Sequence, residues 1–449
     1  MNTSKTPLCD FVRAYAASDA QRLHMPGHKG RAVLGCEPLD ITEIDGADVL
    51  YHAEGILAES QSIARGLFGT QKTLYSAEGS SLSIRAMLYL AQADARLHGR
   101  SNTVLAGRNA HKVFFTAAAL LDFETLWLSG EDDGLLTCRI THSALDEALN
   151  ALSSPPAAVY ITSPDYLGNV QDIAALARVC HAHGTLLLVD NAHGAYLHFL
   201  DTPCHPMDLG ADLCCDSAHK TLCALTGAGY LHIGHTVEPN TAAMAEAAMA
   251  LFASTSPSYL ILQSLDALGA YLSDAYREDL RILCKKLQAL RKTLTAHGWQ
   301  LCGDEPCKLT VAPKSFGYSG ETLAQILIEN RLIPEFYDRD YVVLMVTPQT
   351  SDKTLSALAH ALCALEAREA ITEAPPAITA AKRVMSPRQA LFAPSETLPV
   401  DDCLHRVLAQ PTVGCPPAVP IAVSGEEITE DAICAFRYWG IEKISVVMK

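Results

Sequence analysis

At 449 residues the chain exceeds the size at which one hydrophobic core usually stops growing, so the sequence predicts two or three domains. Hydrophobic residues make up 49% of the chain and charged residues 19%, a balance that excludes a largely disordered protein. The formal net charge of −16 argues against a nucleic acid or an anionic membrane as partner, because either would favour a basic surface.

Helical and strand-like segments alternate along the first half of the chain. The predicted helices cover residues 59–68, 80–97, 110–121, 143–152 and 171–183. The predicted strands are Thr103–Ala106, Thr125–Leu128, Ala157–Thr162, Leu186–Asp190, Leu213–Asp216 and Gly229–Ile233. Short apolar strands that alternate with helices predict a mostly parallel sheet covered by helices on both faces.

The second half of the chain predicts two further parts. A long helical stretch over 258–297 leads into a smaller α/β unit, with strands at 308–312 and 341–346 and helices at 321–330 and 352–367. The proline-containing segment 373–376 indicates a linker. We therefore predict an N-terminal arm (1–60), a large domain (61–257), a small α/β domain (258–372) and a C-terminal module (376–449).

Polar motifs follow four of the predicted strands. They are Arg108–Lys112, Ser163–Tyr166, Asp190–His193 and Ser217–Lys220. Open parallel sheets bind ligands at the carboxyl ends of their strands, and four motifs at such ends predict one common site.

Lys220 and Asp190 form the pair on which the functional interpretation depends. Lys220 follows the strand Leu213–Asp216, and Asp190 ends an aliphatic run. An enzyme that uses pyridoxal 5′-phosphate (PLP) needs a lysine to form a Schiff base with the aldehyde. It also needs an acidic group that keeps the pyridine nitrogen protonated, so that the ring accepts electrons. The pair therefore predicts a PLP site, with a solvated lysine and a helix-capping aspartate as the alternatives.

Two histidines accompany this pair. His193 lies one helical turn after Asp190, where it could reach the phenolic oxygen of the cofactor or the substrate carboxylate. A structural core histidine is the alternative. His111 follows another strand and is placed to stack on the open face of the ring.

The segment Ser76–Ser81 predicts a phosphate-binding loop ahead of a helix. Gly79 permits close approach of the backbone, while serine hydroxyls and the N–H groups of the helix N-terminus donate hydrogen bonds. An ordinary helix cap is the alternative. Further candidate phosphate ligands are Ser80, Ser81, Ser217, Ser254, Thr255 and Ser256.

Cysteine usage and the N-terminal sequence predict a cytoplasmic protein with reduced thiols. There are fifteen cysteines, the first ten residues contain no apolar signal segment, and no apolar run approaches the length of a membrane span. The cysteine and histidine groups lack the four-ligand spacing of a structural zinc site, so we predict no metal. These groups are Cys302 with Cys307, Cys214 with Cys215, and Cys180 with His181 and His183.

Taken together, the motifs resemble the PLP-dependent ornithine/lysine/arginine decarboxylases, in the short form without an N-terminal receiver-like domain. The matching segments extend over nearly the whole chain. They are His24–Gly30, Asp40–Glu43, Asp48, Leu50, Gly79–Ser81, Arg108–Lys112, Thr162–Pro164, Val189–Gly194, Ser217–Leu222, Ala224–Thr226, Ser254–Tyr259, Cys415–Pro417 and Ser424–Glu426.

This resemblance implies an α/β protein of the PLP-dependent transferase fold type I, with a mostly parallel seven-stranded sheet in the large domain, a smaller α/β domain and a C-terminal module. It implies that Lys220 holds PLP, Asp190 pairs with the ring nitrogen and His111 stacks on the ring. The residues implied around the phosphate are Ser80, Ser81, Ser217 and His219. Members of the family are dimers or larger, with the site at a subunit interface, so the segment 254–256, with Thr255 and Ser256, would serve the cofactor of the neighbouring subunit.

The chain departs from the resemblance at four places. Glu78 stands where asparagine is common beside the phosphate loop, and a carboxylate there would repel phosphate unless it points away. Asn191 replaces an acidic residue next to Asp190, the segment 227–229 replaces bulkier residues, and Ser424 replaces a proline. None of these positions belongs to the Lys220–Asp190 pair, so the departures bear on the substrate more than on the cofactor.

We therefore expect α-decarboxylation of arginine, lysine or ornithine to the corresponding amine and CO2, with Lys220 or His219 returning a proton to Cα. The amine would enter polyamine biosynthesis or serve acid resistance. A cationic side chain needs an acidic partner in the site. The candidates are Glu43, Asp45, Asp48, Glu54 and Glu426, each of which could equally be a surface carboxylate.

Two other classes of protein share these motifs. An aminotransferase, aldolase or acyl-CoA condensing enzyme has the same lysine and aspartate, and would yield other products. A non-catalytic regulator would keep the fold and bind a polyamine or a partner enzyme, but would show no visible cofactor absorbance that borohydride abolishes.

Overall fold

The computed structural model of the protein describes residues 5–128, 130, 137–377, 381–414 and 420–449. Within these ranges the strands are β1 Lys72–Ser76, β2 Thr103–Gly107, β3 Glu124–Leu128, β4 Ala158–Thr162, β5 Leu186–Asp190, β6 Leu213–Asp216, β7 Gly229–Ile233, β8 Gln300–Cys302, β9 Lys308–Ala312, β10 Phe336–Tyr337, β11 Val342–Met345, β12 Ser395–Pro399, β13 Thr412–Gly414, β14 Pro420–Val423 and β15 Lys443–Val447. The α-helices are α1 Pro7–Ala16, α2 Ile56–Phe68, α3 Gly79–Leu97, α4 Lys112–Leu121, α5 His142–Asn150, α6 Ile173–Ala182, α7 Ala218–Thr221, α8 Pro239–Ala243, α9 Ala245–Phe252, α10 Tyr259–Ser273, α11 Tyr276–His297, α12 Gly320–Glu329, α13 Asp352–Cys363, α14 Pro387–Leu391 and α15 Glu430–Tyr438.

The main sheet of the described residues has seven strands in the order β1-β7-β6-β5-β4-β2-β3. The pairs β5/β6 and β2/β3 are parallel, whereas β7 runs antiparallel to both of its neighbours, β1 and β6. This sheet confirms the predicted α/β class with a mostly parallel seven-stranded sheet.

Strand β1 is the strand of this sheet that the sequence pattern did not reveal. Its buried residues include Thr73 and Ser76, so it lacks the aliphatic run that identifies its neighbours. The hydroxyl of Thr73 bonds to Nδ1 of His232 at 2.9 Å, and the hydroxyl of Ser76 donates to the carbonyl of Gly79 at 2.7 Å. Burial of these hydroxyls is tolerated because each has a hydrogen-bond partner.

The long helical stretch predicted over 258–297 is two helices. Helix α10 ends at Ser273 and α11 begins at Tyr276, because Asp274 departs from helical geometry with φ −115° and ψ −84°. The predicted helix 352–367 ends earlier, at Cys363.

The chain forms two compact units. The first contains the described residues up to Ser101, together with Ala157–Val159 and Ile173–Asp279. Its helices α1, α2 and α10 are joined through the buried carboxylate of Asp266, which accepts hydrogen bonds from the backbone N–H of Cys9 at 2.9 Å and from the hydroxyl of Ser60 at 2.5 Å. Helix α3 packs on strands β5, β6 and β7. Gly79 begins this helix, Asp190 ends β5, and Lys220 follows β6.

The second unit contains Asn102–Pro156, Tyr160–Asp172 and the chain from Leu280 onward, as far as these are described. A four-stranded antiparallel sheet, β10-β11-β9-β8, lies in this unit. The chain after 381 forms the pairs β12/β15 and β13/β14 with helix α15, around a hydrophobic cluster that includes Leu408, Ile428 and Phe436. The four-part domain division that we predicted from sequence stays a prediction.

Among the described residues, no helix combines the length and the apolar character that crossing a lipid bilayer requires.

Candidate active site at the ends of strands β5 and β6

The first unit brings Lys220 and His193 into contact. Lys220 lies in the short helix α7, which directly follows β6, and His193 lies in the turn that follows β5. The Nζ atom of Lys220 is 3.0 Å from Nε2 of His193. Because β5 and β6 are parallel neighbours, the two segments leave the sheet at the same edge, as we expected from their positions after predicted strands.

Asp190 is the last residue of β5 and pairs in register with Cys215 of β6. The residue is only 3% exposed. One of its carboxylate oxygens accepts a hydrogen bond from the backbone N–H of Ala192 at 3.2 Å. The thiol of Cys215 lies 3.5 Å from the same oxygen. Burial, and then the charge of Asp190, raise the pKa of that thiol, which is therefore a neutral neighbour.

The predicted phosphate loop is formed from the N-terminus of α3 and the segment after β6. Gly79 is the first residue of α3, with φ +66°, and the hydroxyl of Ser217 donates to that of Ser80 at 2.9 Å. A Cβ atom at Gly79 would make only an ordinary contact, 3.5 Å from Cε1 of His219, so the positive φ is what favours glycine here. Ser81 is half-buried in the first turn of the helix. A helix N-terminus, serine hydroxyls and an imidazole are groups that fit a phosphate dianion.

The departure at 227–229 has a steric explanation. The backbone N–H of Gly79 donates to the carbonyl of Gly227 at 2.6 Å, so the two segments touch through their main chains. A Cβ atom at Gly227 would lie 2.9 Å from Cδ1 of Ile261 and 3.1 Å from the carbonyl oxygen of Ala77. A Cβ atom at Gly229 would lie 2.9 Å from the carbonyl carbon of Gly79. Glycine at both positions therefore lets the segment 227–229, which leads into β7, lie against the phosphate loop.

We expect Gly229→Ala to weaken PLP binding about tenfold and to lower the stability of the protein by about 1–3 kcal/mol, since the new methyl group overpacks a backbone contact. Gly66→Ala is the matched control, because Gly66 lies within helix α2 with nothing within 4 Å of the added carbon. That substitution should leave PLP binding unchanged and raise stability slightly. Thermal unfolding and PLP titration of both variants measure the difference, and equal PLP affinities would contradict the steric argument.

The side chain of Glu78 has a hydrogen-bond partner in a different segment. Its Oε1 accepts a hydrogen bond from the backbone N–H of Ser254 at 2.6 Å. The carboxylate of Glu78 is therefore bonded to the backbone at the start of the segment 254–256. Thr255 and Ser256 are exposed, and their predicted role at the cofactor of a neighbouring subunit stays a prediction.

His111 lies in the second unit, where it caps helix α4. Its Nδ1 accepts a hydrogen bond from the backbone N–H of Val113 at 3.3 Å, and the residue is half-buried. Capping explains why α4 begins at Lys112 and not at the predicted 110. The predicted stacking of His111 on the cofactor ring stays a prediction.

Glu426, one of the five predicted substrate-binding acids, has a protein partner in the second unit. Its two carboxylate oxygens accept hydrogen bonds from Arg108 at 2.6 and 2.7 Å, and the residue is only 2% exposed. The guanidinium of Arg108 also lies 4.9 Å from the ring centre of Trp127. The neighbouring motif segment Cys415–Pro417 lies outside the described residues.

We expect Glu426→Gln to lower the free energy of unfolding by about 2 kcal/mol, because the substitution leaves the half-buried charge of Arg108 unpaired. Its effect on the KM for substrate should be less than about twofold. The control is Glu427→Gln, which likewise removes one negative charge. The carboxylate of Glu427 contacts the exposed His405. Denaturant unfolding and steady-state kinetics test both statements, and a tenfold rise in KM would instead assign Glu426 to the substrate.

The other four candidate acids lie in the N-terminal arm. Glu43, Asp45 and Glu54 are exposed. The oxygens of Asp48 accept hydrogen bonds from several backbone N–H groups near the start of α2, including those of Gly55 at 2.8 Å and Leu57 at 3.0 Å. Burial opposes ionisation of Asp48, but these hydrogen bonds prevail and lower its pKa. Their predicted substrate roles stay predictions.

Three residues that the sequence interpretation did not single out form a buried cluster in the first unit. The possible ligand atoms of His205, Asp216 and His232 lie within 4.8 Å of one another, a spacing that could hold a metal ion. The backbone N–H of Met207 donates to Nδ1 of His205 at 3.2 Å, so Nε2 of a neutral His205 carries its hydrogen and faces Asp216 at 3.0 Å. This arrangement favours hydrogen bonds to Asp216 over metal ligation. No local sequence signal connects the three residues.

Known proteins match this chain over most of its length. A family model described as Orn/Lys/Arg decarboxylase, major domain, matches residues 6–302. The chain is 28% identical to an arginine decarboxylase of Halalkalibacterium halodurans, covering 96% of this chain and 93% of that protein. It is 27% identical to an arginine decarboxylase of Bacillus subtilis over the same shares of each chain. The uncharacterized protein YaaO of Bacillus subtilis is 30% identical, covering 95% of this chain and 93% of the relative.

Solved structures match at the level of the fold. Lysine decarboxylase A from Pseudomonas aeruginosa superposes with a TM-score of 0.81 at 17% identity, covering 98% of this chain and 80% of that chain. The constitutive lysine decarboxylase of E. coli gives a TM-score of 0.78 at 16% identity, covering 99% and 82%. A structure described as SPT with PLP gives 0.54 at 15% identity, covering 68% and 75%.

Proposed function

The chain belongs to the Orn/Lys/Arg decarboxylase family, and from this premise we propose that it removes the α-carboxyl group of a basic amino acid with PLP as its cofactor. Membership makes it an amino-acid decarboxylase, a carboxy-lyase. The observation that carries the proposal is the contact between Lys220 and His193 at the edge where Asp190 ends β5. The amine and the buried carboxylate are the two groups that this cofactor chemistry requires, and the imidazole of His193 lies against the amine.

The residues of the first unit fit the cofactor. Lys220 provides the amine for covalent attachment, and Asp190 provides an anion for the pyridine nitrogen in a nearly dry environment. The groups proposed around the phosphate are Gly79, Ser80, Ser81, Ser217 and His219. When bound, PLP supplies an electron sink that stabilises the carbanion left at Cα as CO2 departs. His111 is proposed to stack on the ring, which the resemblance implies.

Of the two candidates for returning the proton to Cα, the hydrogen bonds favour Lys220. The carbonyl of Ala228 can only accept, so Nδ1 of His219, 2.8 Å away, donates to it. The rest of this ring is assigned to the cofactor phosphate, which leaves Lys220 for the proton transfer. Nζ of Lys220, in contact with His193, can both donate a proton and regain one.

Arginine is the first substrate to test. Two relatives that match nearly the whole chain are named arginine decarboxylases, whereas the lysine decarboxylases match in fold alone. Lysine and ornithine remain the alternatives. We also propose that the protein is a cytoplasmic homodimer or larger oligomer, and that its amine product enters polyamine biosynthesis.

A product analysis tests the proposal. The purified full-length protein is incubated with PLP and with arginine, lysine or ornithine, and CO2, amines and keto acids are measured. We expect CO2 and the corresponding amine in equal amounts from at least one of the three substrates. Keto acid without CO2 would indicate an aminotransferase, and no product together with no cofactor absorbance would indicate a non-catalytic protein. Size-exclusion chromatography with light scattering tests the oligomeric state.

A further inference from the structure

Asp216, the last residue of β6, is a fully buried carboxylate with three strong hydrogen-bond donors. Nε2 of His205 lies 3.0 Å from it, Nε2 of His232 lies 3.1 Å from it, and Nδ2 of Asn191 donates at 2.6 Å. All four residues are 0% exposed. An isolated carboxylate at such a depth would be costly, so the arrangement of donors is what permits a charge here.

The protonation states support an anion at Asp216. Burial alone would raise the pKa of this carboxyl, but His205 and then His232, which both donate an Nε2–H to it, hold its pKa well below the usual range. Burial lowers the pKa of His232, which favours a neutral ring that donates through Nε2. Asp216 therefore carries the charge of the cluster.

Asp216 joins the two strand ends that carry Lys220 and Asp190. Asn191 directly follows Asp190, and its backbone N–H also donates to the carbonyl of Cys215 at 3.0 Å. Asp216 lies four residues before Lys220. The hydrogen bond between Asn191 and Asp216 therefore ties the carboxyl end of β5 to that of β6 at the point where both deliver site residues.

The electrostatic environment of Asp216 overlaps that of Asp190. The charges of both carboxylates contribute, after burial, to raising the pKa of the Cys214 and Cys215 thiols. The pKa of the Tyr230 phenol is raised well above its usual value, chiefly by burial and in part by the charge of Asp216. These neighbours stay neutral, so they do not compensate the second negative charge beside Asp190.

We propose that Asp216 is a positioning residue for the PLP site: it ties the ends of β5 and β6 together through Asn191 and supplies a second buried negative charge behind Asp190. This inference rests on the proposed function. It also explains the departure at position 191, because an asparagine replaces the acidic residue of the resemblance and its amide donates to an acid at 216. The negative charge is kept but lies on the neighbouring strand.

The chain offers a matched control at the opposite ends of the same strands. Asp212 precedes β6 and is 1% exposed; its carboxylate lies 3.1 Å from Nε2 of His181 and accepts the backbone N–H of Leu187 at 2.7 Å. It is a buried aspartate bonded to a histidine and to β5, just as Asp216 is bonded to histidines and to the residue that follows β5. A purely structural role would therefore make the two positions equivalent.

The test compares three proteins with the wild type: Asp216→Asn, Asp212→Asn, and the double variant Asn191→Asp with Asp216→Asn. In the double variant the amide at 216 can accept from both histidines and donate to the new carboxylate at 191, so the tie and the charge are both kept. Each purified protein is titrated with PLP, its visible absorbance is followed against pH, and its unfolding temperature is measured without PLP.

We expect Asp216→Asn to weaken PLP binding about tenfold and to lower the pH midpoint of the visible absorbance change by about one unit, because a lost anion disfavours protonated nitrogen nearby. Asp212→Asn should lower the unfolding temperature but leave both PLP readouts within about twofold of wild type. The double variant should recover most of the lost affinity and the midpoint.

Two results would overturn the inference. The first is Asp216→Asn with PLP affinity and pH midpoint equal to those of Asp212→Asn. The second result matters if Asp216→Asn does not fold. It is that the double variant, Asn191→Asp with Asp216→Asn, unfolds at the wild-type temperature but binds PLP ten times more weakly than wild type. A wild-type protein without any visible PLP absorbance would instead reject the proposed function on which the inference rests.

Discussion

Replacing Lys220 by alanine is expected to lower kcat on the order of 10³-fold or more and to remove the visible absorbance of bound PLP that borohydride abolishes. The substitution deletes the amine that attaches the cofactor and also the group to which we assign proton return to Cα, and the loss of a nucleophile and a proton donor together is rarely compensated. PLP should still bind without a covalent bond, because the phosphate loop at Gly79 and Ser80 is unchanged. Absorbance spectra before and after borohydride, with CO2 release, measure both effects.

Lys285 is a suitable control for this experiment, since it is exposed on helix α11. Lys285→Ala should keep wild-type spectra and turnover. If Lys220→Ala retained the chromophore and the wild-type rate of CO2 release, Lys220 would not be the attachment site and the proposed function would lose its main support.

Replacing Asp190 by asparagine is expected to lower kcat by about 10²- to 10³-fold while leaving KM within a few-fold of wild type. The amide has the shape of the carboxylate and can still accept from the backbone of Ala192, so the fold at the end of β5 should be kept. It has no negative charge to hold the pyridine nitrogen protonated, and the ring then accepts electrons less readily. Because Lys220 is intact, the absorbance that borohydride abolishes should remain.

Asp212→Asn again serves as the control, because it removes a buried carboxylate from the same pair of strands far from their carboxyl ends. Steady-state kinetics and reduction with borohydride are measured on both variants. A full rate of decarboxylation by Asp190→Asn would assign this aspartate to helix capping, the alternative that the sequence left open.

The comparison of Asp190 with Asp216 shows what kind of residue sequence reasoning can find. Asp190 ends an aliphatic run, a local pattern that predicts a strand and a polar residue at its carboxyl end. Asp216 has the same local pattern, but its role depends on partners that lie 11, 16 and 25 residues away along the chain, and no spacing rule connects them. A hydrogen-bond network of this kind is visible only once the strands are assembled.

The sequence by itself predicted six of the seven strands of the main sheet, which the structure confirms, and it proposed the Lys220–Asp190 pair, which stays a prediction. These features follow from patterns between near neighbours: apolar runs predict strands, and parallel strands place their carboxyl ends along one edge. The tertiary structure alone decided that Thr73 and Ser76 belong to a buried strand, that Glu78 binds the backbone of Ser254, and that Glu426 pairs with Arg108. Thr73, Glu78 and Glu426 each bond to a partner distant in sequence, and the energy of burying Thr73 or Glu426 depends on that partner's position in space.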